Sequence, residues 1–289
     1  MQILSTPGFA DYELLDSGNG RKLERYGVVI VDRPEPQAMW RPRATLDVWQ
    51  KAHARFVGQD EEAGAWTTSP ACPKEWNLRV AEATIECKLT SFRHLGIFPE
   101  QLPHWEFMQE RLRGHQGERP KLLNLFGYTG VASLLAAAAG ADVVHIDASK
   151  GAVAWARHNQ ALSNLSDKPI RWIVEDARKF VQRELRRGNV YNGILVDPPK
   201  FGRGPNNETW ELFDHLPEML AACAQLLAPS NAFLVVTAYA IRMSAVSLDT
   251  LVREHIGARG GEFSSGELAI TERANGRPLV TSLFTRWHT

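Results

Sequence analysis

Five short apolar runs, each followed by a stretch of helix length, constrain this chain most. They are LLNLF (122–126), VVHI (143–146), WIV (172–174), ILV (194–196) and FLVV (233–236). Between them lie segments of helical composition: the Ala-rich 131–139, then 149–162, 176–187 and 210–228. Strands of this kind spaced by helices form a parallel sheet, because runs without a polar face must be covered on both sides. The order βαβαβαβαβ is that of a doubly wound α/β fold. GELAITE (266–272) and PLVTSLFTRW (278–287) follow, joined through Asn275-Gly276. That dipeptide between two strand-like runs predicts a hairpin, so an antiparallel pair closes the sheet.

The first part of the chain has no such rhythm. Thr84-Ile85-Glu86-Cys87-Lys88-Leu89-Thr90 alternates strictly, which predicts a half-buried strand with Ile85, Cys87 and Leu89 inward. Ser17-Gly18-Asn19-Gly20 reads as a turn and Val28–Val31 as a strand, while prolines interrupt residues 34–42. Residues 1–100 are therefore expected to form a small, mostly antiparallel β domain for substrate recognition or closure. Residues 101–289 form the α/β domain, with the boundary near Pro99–Pro103.

Composition sets further bounds. The 33 basic and 33 acidic residues cancel, so there is no global attraction for nucleic acid, although a local basic face is compatible with this balance. The three cysteines, Cys72, Cys87 and Cys223, are few, odd in number and far apart, which points to a reducing compartment and no zinc cluster. The nine histidines show no metal-ligand spacing, and no metal is expected. The N-terminus lacks a secretory pattern, and no apolar run nears the ~18 residues of a membrane span. A cytoplasmic protein without a membrane partner is expected.

The candidate chemistry lies at the ends of the apolar runs. Asn124-Leu125-Phe126-Gly127-Tyr128-Thr129-Gly130 is a glycine-bearing turn between a first strand and a first helix. Such a turn brings backbone amides close to a ligand, or is simply tight. Asp147 ends the second run, where an acid holds ribose hydroxyls or caps the helix starting near Ser149. Asp176, after the third run, either meets an adenine amino group or caps its helix. Asp197-Pro198-Pro199-Lys200 ends the fourth. All four lie at carboxyl ends of strands, the edge where open α/β sheets bind ligands.

LNLFGYTG, VVHIDAS, VEDA and ILVDPPKF in this order resemble the class I S-adenosylmethionine-dependent methyltransferases. More closely, they are similar to the bacterial 23S (large-subunit) ribosomal RNA methyltransferases with F-x-Y-T-G and DPPKF or DPPTF segments. FRHLGIFPEQ (92–101) resembles that family's approach to the cofactor. The resemblance covers roughly residues 84–240 and is thin over 1–80. It implies a Rossmann-like, mostly parallel seven-stranded sheet with a C-terminal antiparallel hairpin. It also implies S-adenosylmethionine as cofactor and a large-subunit ribosomal RNA substrate. Phe126, Tyr128 and Gly130, with Asn124 and Thr129 in the same turn, would line the methionine end. Asp147 would bind the ribose, Ala148 would lie against adenine, and Asp176 and Ala177 would read the adenine edge. Phe98 and Gln101 would close the pocket. Asp197 and a proline-corner carbonyl would accept bonds from a target amino group, aiming its nitrogen lone pair at the methyl group.

The chain departs from the amino-methyltransferase pattern in one respect. Lys200 stands where an aromatic often follows the prolines, and Phe201 comes one residue later. Phe201 either stacks on a base or packs beside the loop; Lys200 meets phosphate or water. Gly202-Arg203-Gly204 predicts a mobile loop over substrate. Pyrimidine-C5 methylation needs a cysteine nucleophile just past the fifth strand, but VVTAYA stands there. Direct transfer to a base nitrogen is therefore expected. The basic run Arg178, Lys179, Arg183, Arg186, Arg187 and the residues Arg21, Lys22 and Arg25 form an RNA face or a solvated one. Trp40, Trp49, Trp66 and Trp76 stack on bases or pack. A methyltransferase acting on a protein or small molecule is the alternative. A nicotinamide oxidoreductase would need G-x-G-x-x-G, which the turn lacks.

Overall fold

The computed structural model describes residues 1–58, 64–239 and 242–289. Its elements are β1 (Gln2–Thr6), β2 (Tyr12–Gly18), β3 (Arg21–Tyr26), β4 (Val29–Pro34), α1 (Leu46–Trp49), β5 (Ala54–Val57), β6 (Ala65–Thr68), β7 (Glu75–Val80) and β8 (Ala83–Lys88). Then follow α2 (Leu102–Arg113), β9 (Lys121–Leu125), α3 (Val131–Ala138), β10 (Asp142–Asp147), α4 (Lys150–Leu162), β11 (Ile170–Val174), α5 (Ala177–Arg187), β12 (Gly193–Val196), β13 (Phe201–Arg203), β14 (Thr209–Glu211), α6 (Leu212–Leu226), β15 (Phe233–Tyr239), α7 (Ala245–Ile256), β16 (Glu262–Thr271) and β17 (Pro278–His288). They divide into two compact units. One holds Ser5–Gln101 and Ala269–Val280; the other holds Met1–Leu4, Leu102–Leu268 and Thr281–Thr289.

The first unit contains a five-stranded sheet, β2-β3-β4-β5-β6, and a separate β7-β8 pair. Among the described residues of this unit, only the β4–β5 strand pairing is parallel. Asn19 and Gly20, at φ 52° and 73°, close the β2–β3 hairpin in the left-handed geometry this turn requires. In β8 the alternation buries Ala83, Ile85 and Cys87; Leu89 lies past the strand end and is half-buried. An ion pair stands in this core. The buried Glu24 accepts from Arg33 at 2.8 and 2.6 Å, from Tyr12 at 2.8 Å and from Tyr26 at 3.1 Å. Burial opposes its ionisation, but Arg33 and Lys22 outweigh that and hold the carboxyl below its usual range. Three tryptophan N–H groups are engaged within the unit: Trp40 donates to Ser17, Trp49 to Asp16 and Trp66 to the Thr90 carbonyl. Trp76 is buried. These bonds favour the packing account of the tryptophans over base stacking.

The second unit is the doubly wound fold. Its sheet has the order β1-β16-β17-β15-β12-β9-β10-β11, mostly parallel, with the hairpin strand β17 antiparallel to β15. The N-terminal strand β1 adds an eighth member at the edge, beside β16. Leu123, Leu125, Ile194, Val196, Leu234 and Val236 face one side, packing with Phe180 of α5, Leu216 and Leu220 of α6 and Leu248 and Val252 of α7. The period of two sends the intervening residues to the other face, where α2, α3 and α4 pack. β9 lies between β10 and β12, so the strand order reverses beside it. That reversal opens a crevice at the carboxyl ends of β9 and β12.

Candidate active site

Strand register brings the key residues together. Leu125 pairs with Ile146 on one side and with Val196 on the other. The next residues are therefore neighbours across three strand ends: Asp147, Phe126 and Asp197. The fourth end follows from Asp147 pairing with Val174, just before Glu175-Asp176.

The turn after β9 has unusual backbone. Phe126, Tyr128 and Gly130 all adopt positive φ, at 58°, 49° and 85°. Left-handed geometry is costly for a residue with a Cβ and persists where surroundings over-determine it. Here the amide of Gly127 donates to the Ile146 carbonyl at 3.0 Å, and that of Gly130 to the Gly127 carbonyl at 3.0 Å. The Tyr128 amide donates to Asp147 at 2.8 Å. Gly127 leaves no room for a side chain: a Cβ would stand 2.3 Å from the His145 ring. At Gly130 it would stand 2.9 Å from Ala156 and Trp172. Gly130 also opens α3, whose first amides point toward the turn.

Asn124 lies beneath this loop rather than on its open side. Its Nδ2 donates to Ser133 at 2.9 Å, and Ser133 shares a hydrogen bond with His145 Nδ1 at 3.0 Å. Burial pushes the His145 imidazole down to about 3, so it stays neutral. Thr129 is buried, and its carbonyl accepts from Asn159 at 3.0 Å. Ser133, His145 and Asn159 thus form a floor that the motif pattern did not single out.

Asp147 is half-buried and accepts one amide on each oxygen, from Tyr128 and from Ser149, both at 2.8 Å. Burial pushes its carboxyl up, and the two amides pull the other way. Each carboxylate oxygen has a second acceptor site, so the pair can take two hydroxyls at once. The α4 cap is Ser149, which accepts from Ala152, and not Asp147. Ala148 is half-buried beside it. Asp176 is buried and does cap α5, accepting from Lys179 at 3.0 Å, with Ala177 buried next to it.

Asp197 is half-buried, Pro198 buried, and Pro199 and Lys200 exposed. The Pro199 carbonyl accepts the indole N–H of Trp210 at 2.8 Å. The Trp210 ring is buried and lies 4.8 Å from Phe126. The Pro198 carbonyl has no hydrogen-bond partner among the described residues. Trp210 escaped the motif reading because it stands in a segment that composition assigned to a helix.

The segment after Lys200, expected as a loop, is a short hairpin. Phe201–Arg203 pairs antiparallel with Thr209–Glu211, and Gly204 closes the turn with Glu208. Glu208 is tied to Lys179 at 2.5 Å and accepts the Asn206 amide at 2.8 Å. The basic run is also largely self-neutralised: Arg178 pairs with Glu218 at 3.0 Å, Arg183 with Glu175 at 2.5 Å and Arg187 with Glu184 at 3.1 Å. In the first unit, Arg21, Lys22 and Arg25 pair with Asp32, Glu35 and Glu13.

Phe98 and Gln101 belong to the first unit. The Gln101 amide donates to the Phe98 carbonyl at 3.1 Å, and the Phe98 ring meets His94 edge-on at 5.0 Å. Cys87 and Cys223 are buried, and burial pushes the Cys223 thiol up to about 12. Thr237, Ala238 and Tyr239, expected just past this strand, are the last residues of β15, the first two buried and Tyr239 half-buried; Ala240 lies outside the described residues. Among the described residues no helix is long and apolar enough to cross a membrane.

Comparison with known proteins gives the family of the chain. The family model for S-adenosylmethionine-dependent methyltransferases matches residues 60–256. A ribosomal RNA large subunit methyltransferase K/L from Shewanella sp. (strain ANA-3) is 32% identical over 180 residues, covering 60% of this chain and 24% of that protein. The Shewanella oneidensis protein of the same name is 34% identical over 154 residues, covering 52% and 20%. The chain thus spans about a quarter or less of the length of these relatives. The crystal structure of an S-adenosylmethionine-dependent methyltransferase from Agrobacterium tumefaciens is 51% identical, covers 100% of this chain and 93% of that one, and superposes with a TM-score of 0.96. A Streptococcus mutans chain provisionally described as such a methyltransferase shares the fold, at TM-score 0.72 and 15% identity, over 96% of this chain and 75% of that one. With its strand-end acids and left-handed turn in place, and over half its length matched, the chain belongs to the S-adenosylmethionine-dependent methyltransferases.

Proposed function

We propose that this enzyme methylates a base nitrogen of large-subunit ribosomal RNA by direct transfer, without a cysteine nucleophile. The observation that carries the reading is the anchored corner after β12. The Pro199 carbonyl is held by Trp210, and the Asp197 carboxylate, with two acceptor sites on each oxygen, and the Pro198 carbonyl follow β12 beside Phe126. Two acceptors can each take an N–H of one amino group and aim its lone pair. The corner itself supplies no proline N–H to compete. Most of the rate enhancement is then positioning.

The residues present fit the cofactor. Asp147 takes the ribose hydroxyls on its remaining acceptor sites. Ala148, Asp176 and Ala177 line the adenine side. Phe126, Tyr128 and Gly130 offer backbone to the methionine end, close to Asp197. When bound, S-adenosylmethionine supplies an electrophilic methyl group. Cys223, buried and with its thiol raised, is a poor candidate for a nucleophile. The names of the Shewanella relatives support ribosomal RNA as the substrate class.

The self-neutralised α5 cations favour the second reading, a protein or small-molecule acceptor. One experiment separates the two. Radiolabelled S-adenosylmethionine is incubated with ribosomal RNA from a strain lacking this gene, using wild type and Asp197→Ala in parallel. Label entering large-subunit RNA with wild type only is the expected result. Cofactor binding by calorimetry with no labelled RNA overturns the substrate and leaves the enzyme class.

A further inference from the structure

Two phenylalanines stand exposed beside the carboxyl end of β12. Phe201 opens β13 with 51% of its surface exposed, and Phe213 lies in the first turn of α6 with 54% exposed. The backbone links them. Phe201 pairs with Glu211 across the hairpin, and the Leu212 amide donates to the Lys200 carbonyl at 3.0 Å. Two large rings left in water on an ordered element mark a contact surface.

The charges nearby are arranged unlike those on α5. Lys200, Arg203 and Arg242 are all exposed, and none has a carboxylate partner among the described residues. Lys200 and Arg203 follow β12, and Arg242 follows β15, its parallel neighbour, so all three belong to the same sheet edge. On α5, by contrast, four of the five cations, Arg178, Lys179, Arg183 and Arg187, each have an acid, and Arg186 alone has none among the described residues. Lys200 and Arg203 thus lie with the exposed rings at the carboxyl end of β12, and Arg242 follows the neighbouring strand. Polyanion contact and aromatic stacking together are the chemistry of an unpaired nucleic-acid strand.

We infer that this edge is a docking strip for single-stranded RNA, in which Phe213 stacks an unpaired base flanking the target and Arg203 and Arg242 hold phosphates. The inference rests on the ribosomal RNA reading and adds where the strand lies. It also means that the substrate region must be unpaired, since a duplex hides its base faces.

The test is binding of a fluorescein-labelled single-stranded uridine oligomer of about 12 nucleotides, followed against salt. Phe213→Ala is expected to weaken binding about tenfold, and Phe213→Tyr to retain it. Arg203→Gln and Arg242→Gln each flatten the logarithmic salt slope by about 0.7, one single-strand phosphate contact. Arg178→Gln, at a neutralised position, leaves the slope unchanged. S-adenosylmethionine affinity stays at the wild-type value in every variant, which separates lost docking from lost folding. If wild type labels ribosomal RNA while Phe213→Ala and both arginine variants bind like wild type, the strip is overturned and the RNA reading stands. If wild type neither binds the oligomer at low salt nor labels RNA, both fall.

Discussion

The indole N–H of Trp210 donates to the Pro199 carbonyl at 2.8 Å, while its ring lies 4.8 Å from Phe126. One buried side chain therefore joins the corner after β12 to the turn after β9. The two strand ends are already neighbours through the Leu125–Val196 register. Trp210 fixes how the loops leave them.

Trp210→Phe keeps an aromatic ring and removes the donor. Pro199 is exposed, so its carbonyl can bond water instead, and stability should fall by only about 1 kcal/mol. The Asp197-Pro198 corner loses its anchor, and kcat is expected to fall about 10- to 100-fold, as for a small misplacement of a reacting group. Calorimetry should give an unchanged S-adenosylmethionine Kd. An unchanged kcat would mean that the prolines alone hold the corner.

Much of this was legible in the sequence, because the signals were periodic or conformational. Strands 122–126 and 143–146 are apolar apart from Asn124 and His145, and Asn275-Gly276 announces its hairpin. The positions of Asp147 and Asp197 follow from where those runs end. What could not be read was register and compensation. Trp210 and Phe126 are far apart in sequence, and only strand pairing brings them together. The hairpin over 201–211 depends on Glu208 bonding Lys179 on another element, so a glycine-rich segment looked like a loop. The basic helix was left open between an RNA face and a solvated one, because its partners Glu175 and Glu218 cannot be assigned from spacing. Asn124, inside a ligand-binding pattern, turns inward to Ser133 because the period of two places it opposite Leu123 and Leu125.

Asp147→Asn should separate folding from cofactor binding. The carboxylate accepts the amides of Tyr128 and Ser149, and an amide side chain can accept only one of them without turning its NH2 on the other. Removing the charge also relieves a cost. Burial raises this carboxyl's pKa, so ionisation is harder in the folded chain, and its stability contribution declines as pH rises through that pKa. The two effects oppose each other, and the ligand-free protein should change by within about 1 kcal/mol in urea unfolding. S-adenosylmethionine affinity should fall about 10- to 100-fold, the size of a charge-assisted hydrogen bond. An unchanged Kd would remove Asp147 from the ribose role.

The floor of the turn gives the protein an acid limit. His145 is buried, and its pKa is lowered from 6.5 to about 3. Between those values the unfolded chain binds a proton that the folded chain refuses. Stability is full above the unfolded value and is lost as pH falls through the window, by up to about 1.4 kcal/mol per pH unit. His94 and His104 are held down by burial as well, so the loss compounds. Urea unfolding at a series of pH values checks this. His145→Gln should show a slope near pH 5 shallower by almost one proton, about 1.4 kcal/mol per unit. A parallel slope would mean that His145 is protonated in the folded chain.

Cys223 decides between direct and covalent transfer. It lies on α6, fully buried in the core with Leu220 and Trp287, and burial pushes its thiol up to about 12. A thiol in that setting is neutral at physiological pH and packs as a small hydrophobe. Cys223→Ala should therefore cost about 1 kcal/mol of stability while methyl transfer stays within about twofold of wild type. Cys87 is buried on β8 with its thiol raised further, and Cys87→Ala should behave alike. Neither variant should alter the behaviour of RNA carrying 5-fluorocytidine, because no enzyme–base bond forms in direct transfer to nitrogen. A gel-stable complex with that RNA, lost in Cys223→Ala, would instead require the thiol to reach a pyrimidine ring. It would overturn direct transfer and the base-nitrogen target together.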